Sequence, residues 1–113
     1  MSTSSYIAKL NSDGSVTGVY CHFDGYPDGV GKTLLEHYTT TEQASALLQG
    51  GSISTLGDDT SETIFYHRDR GEPLDEPVTY DSVTHMLQNV TSDLGADYAY
   101  VYDSMGGWKT FEF

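Results

Sequence analysis

Positive charge is scarce in this chain. Apart from histidines, its basic residues are Lys9, Lys32, Arg68, Arg70 and Lys109, against 17 Asp and Glu, which leaves a net charge of −12. A field of that sign repels phosphate backbones, so no direct contact with nucleic acid is expected. Arg68 and Arg70 alone are close in sequence, and Asp69 and Glu72 offset them. Cysteine is almost missing: Cys21 stands alone, which excludes an internal disulfide. No apolar run approaches the ~20 residues that span a bilayer. The opening Met-Ser-Thr-Ser-Ser lacks the basic and then apolar order of a signal peptide. The expectation is a cytoplasmic protein with no membrane partner.

Apolar residues are also few, at 37%, yet 12% of the chain is aromatic. Nine tyrosines, four phenylalanines and one tryptophan bury much area from few positions, which a disordered chain does not do. The 113 residues fit one hydrophobic core and no second one, so a single domain over 1–113 is expected.

Local patterns predict an α+β fold in the order ββααβαββ. Ser5 to Leu10 and Val16 to Phe23 read as a hairpin around the turn residues Asn11 to Ser15. Gly29 to Tyr38 reads as a helix with Val30, Leu34 and Leu35 on one side. A second helix begins near Thr39-Thr40-Thr41-Glu42. Thr39 and Glu42 have capping-box spacing, Thr40 and Thr41 being alternative caps, and Gly50-Gly51 ends it. Ser52 to Glu62 reads as a polar connection, Thr63 to His67 as a short strand and Arg68 to Pro77 as a loop. Thr79 or Asp81 caps a third helix reaching Thr91, with Val83, Met86, Leu87 and Val90 as its stripe. Ala96 to Asp103 and Trp108 to Phe113 form a closing hairpin. The expected architecture is a mostly antiparallel sheet of about five strands, with two to three helices on one face.

Several residue groups suggest chemistry. Gly29-Val30-Gly31-Lys32-Thr33 invites comparison with a phosphate-binding loop. Counting back from Gly31, however, the motif's first glycine falls on Tyr26, and Gly25 is one residue too early. Cys21, His22, His37 and His67 lack the close spacing of zinc ligands, so no metal and no cofactor is expected. A Cys21 and His37 nucleophilic pair would need a proximity that nothing in the sequence supplies, and a buried, inert thiol is the alternative. The loop residues Asp24, Tyr26 and Asp28 form a candidate site, or a tight turn built on their glycine and proline neighbours. Tyr98, Tyr100 and Tyr102 share one strand face, which is either core beneath helices or an open interface.

The carboxylates are the fullest set. Asp58, Asp59 and Glu62 share one loop; Asp69, Glu72, Asp75 and Glu76 share another. Asp81 begins a helix, and Asp93, Asp97 and Asp103 follow near the C-terminus. Strand residues two apart lie about 6.6 Å from each other, near the roughly 7 Å spacing of phosphates along a strand. A regular array of these side chains could therefore imitate DNA. A merely solvated acidic surface, or one suited to high salt, is the other reading.

The segments Tyr20-Cys21-His22-Phe23-Asp24-Gly25-Tyr26-Pro27-Asp28-Gly29-Val30-Gly31, Leu34 to Tyr38 and Tyr66-His67-Arg68-Asp69-Arg70-Gly71-Glu72 resemble a family of small, acidic, uncharacterised proteins of bacteriophages and prophages. The likeness covers most of the chain, and it departs at Phe23, where many members have tryptophan. It implies a phage origin and a bacterial host cytoplasm, but no established activity. By analogy with phage inhibitors of host defence, the expected function is a non-enzymatic, DNA-mimicking inhibitor, an anti-CRISPR protein. Its expected partner is a basic DNA-binding protein, a CRISPR effector subunit, met by a monomer or weak homo-oligomer. The alternative is a phage regulatory or structural protein that binds through an aromatic face. A small nucleotide-binding protein or enzyme using the Asp24 to Thr33 loop is a third reading.

Overall fold

The computed structural model describes residues 3–113. The chain opens with the expected hairpin, β1 (Ser5–Leu10) and β2 (Val16–Cys21). Its turn is closed by Asn11, whose amide donates to Ser15 Oγ and Thr17 Oγ1 at 3.0 Å each. A π-helical turn (Pro27–Gly31) then leads into α1 (Lys32–His37), and α2 (Thr41–Gln49) follows. The cap of α2 is Thr40, not Thr39. Thr40 Oγ1 accepts the Gln43 N–H at 3.2 Å, and Gln43 Oε1 accepts the Thr40 N–H at 3.1 Å. That reciprocal pair stabilises the helix start by about 1 kcal/mol.

The middle of the chain holds more structure than its sequence suggests. β3 (Ile53–Thr55) lies inside the supposed polar connection, and β4 (Ile64–Phe65) is followed at once by a short helix, α3 (Tyr66–Arg70). Side chains force this switch. Asp69 reaches back to accept the Phe65 N–H at 2.8 Å, while Arg68 donates to the Thr60 and Thr63 carbonyls at 2.8 and 2.6 Å. β5 (Val78–Tyr80) then pairs with β2, and α4 (Val83–Ser92) is capped by Ser82, whose Oγ accepts the His85 N–H at 3.1 Å. β6 (Tyr98–Asp103) and β7 (Gly107–Glu112) form the closing hairpin.

The fold is α+β, as expected, with corrections in its detail. Among the described residues seven strands, not about five, make one sheet in the order β4-β3-β2-β1-β6-β7, with β5 also on β2. The sheet is mixed: β1 runs parallel to β6 and β2 parallel to β3. Each parallel pair is joined through helices, the long crossover that parallel pairing demands. Helices cover both faces rather than one. On the first face Ile7, Val19, Leu34, Leu47 and Tyr100 pack with α1 and α2. On the second face Tyr6, Ala8, Met86, Val90 and Val101 pack with α4. The reason lies in β1 and β6, whose central residues are buried on alternate sides in unbroken runs, as in strands covered twice.

Candidate functional site

The tyrosine stripe of β6 belongs to the core. Tyr100 is buried beneath the π-helical turn, and its hydroxyl donates to the Gly25 carbonyl at 2.7 Å. Tyr102 is buried against Trp108, whose indole N–H donates to the Tyr38 carbonyl at 2.7 Å. Tyr98, half-buried, packs against the same core. These contacts also explain the glycine-rich segment. A Cβ on Gly31 would stand 3.0 Å from the Tyr100 ring, so glycine here lets the turn settle on the sheet. Val30 and Gly31 are buried, so this part of the loop packs against the sheet, while Lys32 stays exposed. Asp24, Tyr26 and Asp28 are exposed at its rim, where the Tyr26 hydroxyl donates to Asp24 Oδ1 at 3.3 Å.

The candidate nucleophile is closed off. Cys21 is fully buried, and burial pushes its thiol up to about 12. His37 is exposed on α1, with Nε2 at 3.6 Å from Asp58. His22 meets the Tyr20 hydroxyl at 2.9 Å through Nδ1. Among the described residues, no three His, Cys, Asp or Glu side chains converge closely enough to hold a metal ion. Nor is any helix among them long and apolar enough to cross a membrane.

The acidic residues fall into separate groups. All are exposed except Asp103, which is half-buried. Asp58, Asp59 and Glu62 occupy the loop between β3 and β4, beside α1. Asp59 is tied into its own loop: its Oδ1 accepts from Ser61 Oγ at 2.6 Å and from the Ser61 and Glu62 amides at 2.9 and 3.0 Å. Those bonds, led by the Ser61 hydroxyl, hold its carboxyl below the usual range. Asp69 is spent on Arg68 and the Phe65 amide, with Arg68 as the main cause of its lowered pKa. Asp81, wholly exposed, lies 4.0 Å from His85 one turn on. Asp97 and Asp103 bracket β6 at opposite ends.

The second face of the sheet gathers the rest. A cavity of about 200 Å³ lies between β2, β5 and the end of α4, lined by Asp75, Glu76 and Asp93 together with Tyr6, Tyr20 and Tyr80. A neighbouring cavity shares Tyr20, Ser52 and Asp75 and adds Tyr66 and Glu72. Arg70 stands 3.9 Å from Glu72 at that second cavity. Among the described residues, no Lys or Arg lies within 4.0 Å of the carboxylates of Asp75, Glu76 or Asp93. Asp75 is fixed in place by the Ser52 hydroxyl, 2.5 Å from Oδ2, a charge-assisted bond.

The tyrosines of this cavity escaped sequence reasoning, which weighed the β6 stripe instead. A usable signal was present in the hairpin register. Ala8 pairs with Gly18 and Tyr6 with Tyr20, so the Tyr6 ring can lie across the glycine. A Cβ on Gly18 would fall 2.3 Å from Tyr6 Cε2. The missing side chain is thus the seat of the Tyr6 ring. Comparison of this chain with known protein families, curated proteins and solved structures finds no match to any of them.

Proposed function

We propose that this protein acts by binding, through its carboxylates, a positively charged groove of another protein. The groove we have in mind is one that otherwise holds nucleic acid, as in a CRISPR effector of a bacterial host. The observation that carries this reading is the unneutralised acidic surface: net charge −12, with nearly every carboxylate exposed and few of them paired. Such a surface is costly through self-repulsion and, beyond keeping the protein in solution, is rewarded by a basic partner, where it also speeds encounter. The carboxylates form groups beside α1 and beside the end of α4, not one ridge. That distribution favours a channel that surrounds the protein over a single phosphate-like strip.

The test is binding to a purified CRISPR effector, measured at two salt concentrations and with duplex DNA as competitor. Binding should weaken steeply with salt, yield to DNA, and fall when Asp75, Glu76 and Asp81 are all changed to lysine. Binding that ignores salt, DNA and charge reversal would refute the reading.

A further inference from the structure

The two edges of the sheet differ. β4 closes one edge with two residues and turns at once into α3. β7 closes the other with six residues, and its register on β6 runs unbroken. Proteins blunt exposed edges with short strands, prolines, bulges or covering elements. β4 is short. β7 has neither proline nor bulge, and among the described residues it pairs with β6 alone.

One bond shows which backbone groups β7 leaves free. The Phe113 N–H donates to the Asp97 carbonyl at 3.1 Å, which makes these two a hydrogen-bonded pair. Such pairs alternate along an antiparallel ladder, so Phe111, Lys109 and Gly107 also turn their groups toward β6. Trp108, Thr110 and Glu112 turn theirs outward, where a further strand can bond them.

A second, antiparallel β7 related by a two-fold axis at Thr110 pairs all three with one another. Thr110 then faces its own copy, Trp108 faces the second copy's Glu112, and Lys109 faces the second copy's Phe111. A slip of one residue puts the free groups out of phase, and a slide of two toward the hairpin turn sets lysine against lysine. The pairing also covers apolar surface, since Trp108 and Phe111 are half-buried and Phe113 is 47% exposed.

Charge favours a second copy at this edge. Copies with a net charge of −12 repel each other, but β7 carries one lysine and one glutamate and is neutral. Asp58, Asp59 and Glu62 precede β4, Asp69 follows it, and Asp75 and Glu76 precede β5, all on the side of β2 away from β7. A basic partner is drawn there instead. Asp103 and Asp97 stand beside Gly107 and Phe113, the two ends of the seam. Across it, Asp103 and the second copy's Asp97 lie three strand spacings apart, about 14 Å, beyond the screening length of about 8 Å at physiological salt.

We infer that β7 joins a second copy of this chain, antiparallel, into one sheet continuous across two protomers, with the acid-rich edges at its far ends. This goes beyond the function proposed above and needs no effector. Sedimentation of the intact chain at physiological salt should show its mass doubling as concentration rises. Amide exchange followed by NMR should slow about tenfold or more on association at Trp108, Thr110 and Glu112, and hardly change at Lys109 and Phe111, which already bond β6. Thr110→Lys sets two lysines face to face on the two-fold axis and should abolish the doubling. General repulsion alone predicts the opposite, because the added positive charge lowers the net charge. Thr110→Pro removes one outward N–H and should act likewise. Both variants should keep the native circular dichroism, since Thr110 is exposed.

A single mass at every concentration, doubling untouched by Thr110→Lys, or protection that does not alternate along β7 would overturn the pairing. Protection of Trp108, Thr110 and Glu112 that arises only when a basic effector is added to a chain that stays monomeric would give the edge to a strand of that effector, and the second copy would fall.

Discussion

Tyr6 and Tyr100 are both buried tyrosines on adjacent strands, and their hydroxyls differ in one respect. That of Tyr100 donates to the Gly25 carbonyl at 2.7 Å; that of Tyr6 has only the Tyr80 hydroxyl beside it, too far or too poorly aligned for a good bond. Replacing each by phenylalanine removes one oxygen from a packed ring and leaves the ring in place. In Tyr100→Phe, the Gly25 carbonyl loses its bond within a buried segment, which should cost about 1–3 kcal/mol. In Tyr6→Phe, the lost atom carried only a desolvation penalty, so stability should stay level or rise by up to about 1 kcal/mol. Urea unfolding followed by circular dichroism resolves the difference. With m of about 1–3 kcal/mol/M, the Tyr100→Phe midpoint should drop by roughly 1 M while m holds constant. The Tyr6→Phe midpoint should not drop. Equal losses in both variants would mean that the Tyr6 hydroxyl is bonded to Tyr80 as firmly as Tyr100 is to the Gly25 carbonyl.

Two further outcomes follow from the same geometry. Cys21 should resist a thiol reagent at pH 8 in the native state and react fully in urea, because burial holds it as a thiol; rapid native labelling would contradict the packing around it. The carboxyls of Asp13, Asp59 and Asp69 are held below their ordinary values by the Ser15 hydroxyl, the Ser61 hydroxyl and Arg68 respectively. A depressed carboxyl contributes stability above its unfolded value, near 3.9, and loses it as pH falls through the folded value. The urea midpoint should therefore fall below about pH 4, and less so in Asp59→Asn and Asp69→Asn. A midpoint that climbs through that window would show relief of charge repulsion to be the stronger effect.

What was legible in the chain was local. The two hairpins, the helices around Leu47 and Val90, and the fold class follow from turn residues and apolar period, which the sequence displays directly. β3 and β5 were not legible. Each is three residues long, and each is held by pairing with β2 rather than by its own pattern. The strand-to-helix switch at Phe65 was hidden for another reason. It depends on Asp69 and Arg68 reaching backbone groups nearby, which propensity does not encode. Helices on both faces could have been suspected from β6, where Ala99 and Val101 alternate with tyrosines and leave no polar side. The acidic residues were all visible as a set. Their division into groups was not, because Asp75 and Asp93 meet only through the packing of α4 and β5 on β2.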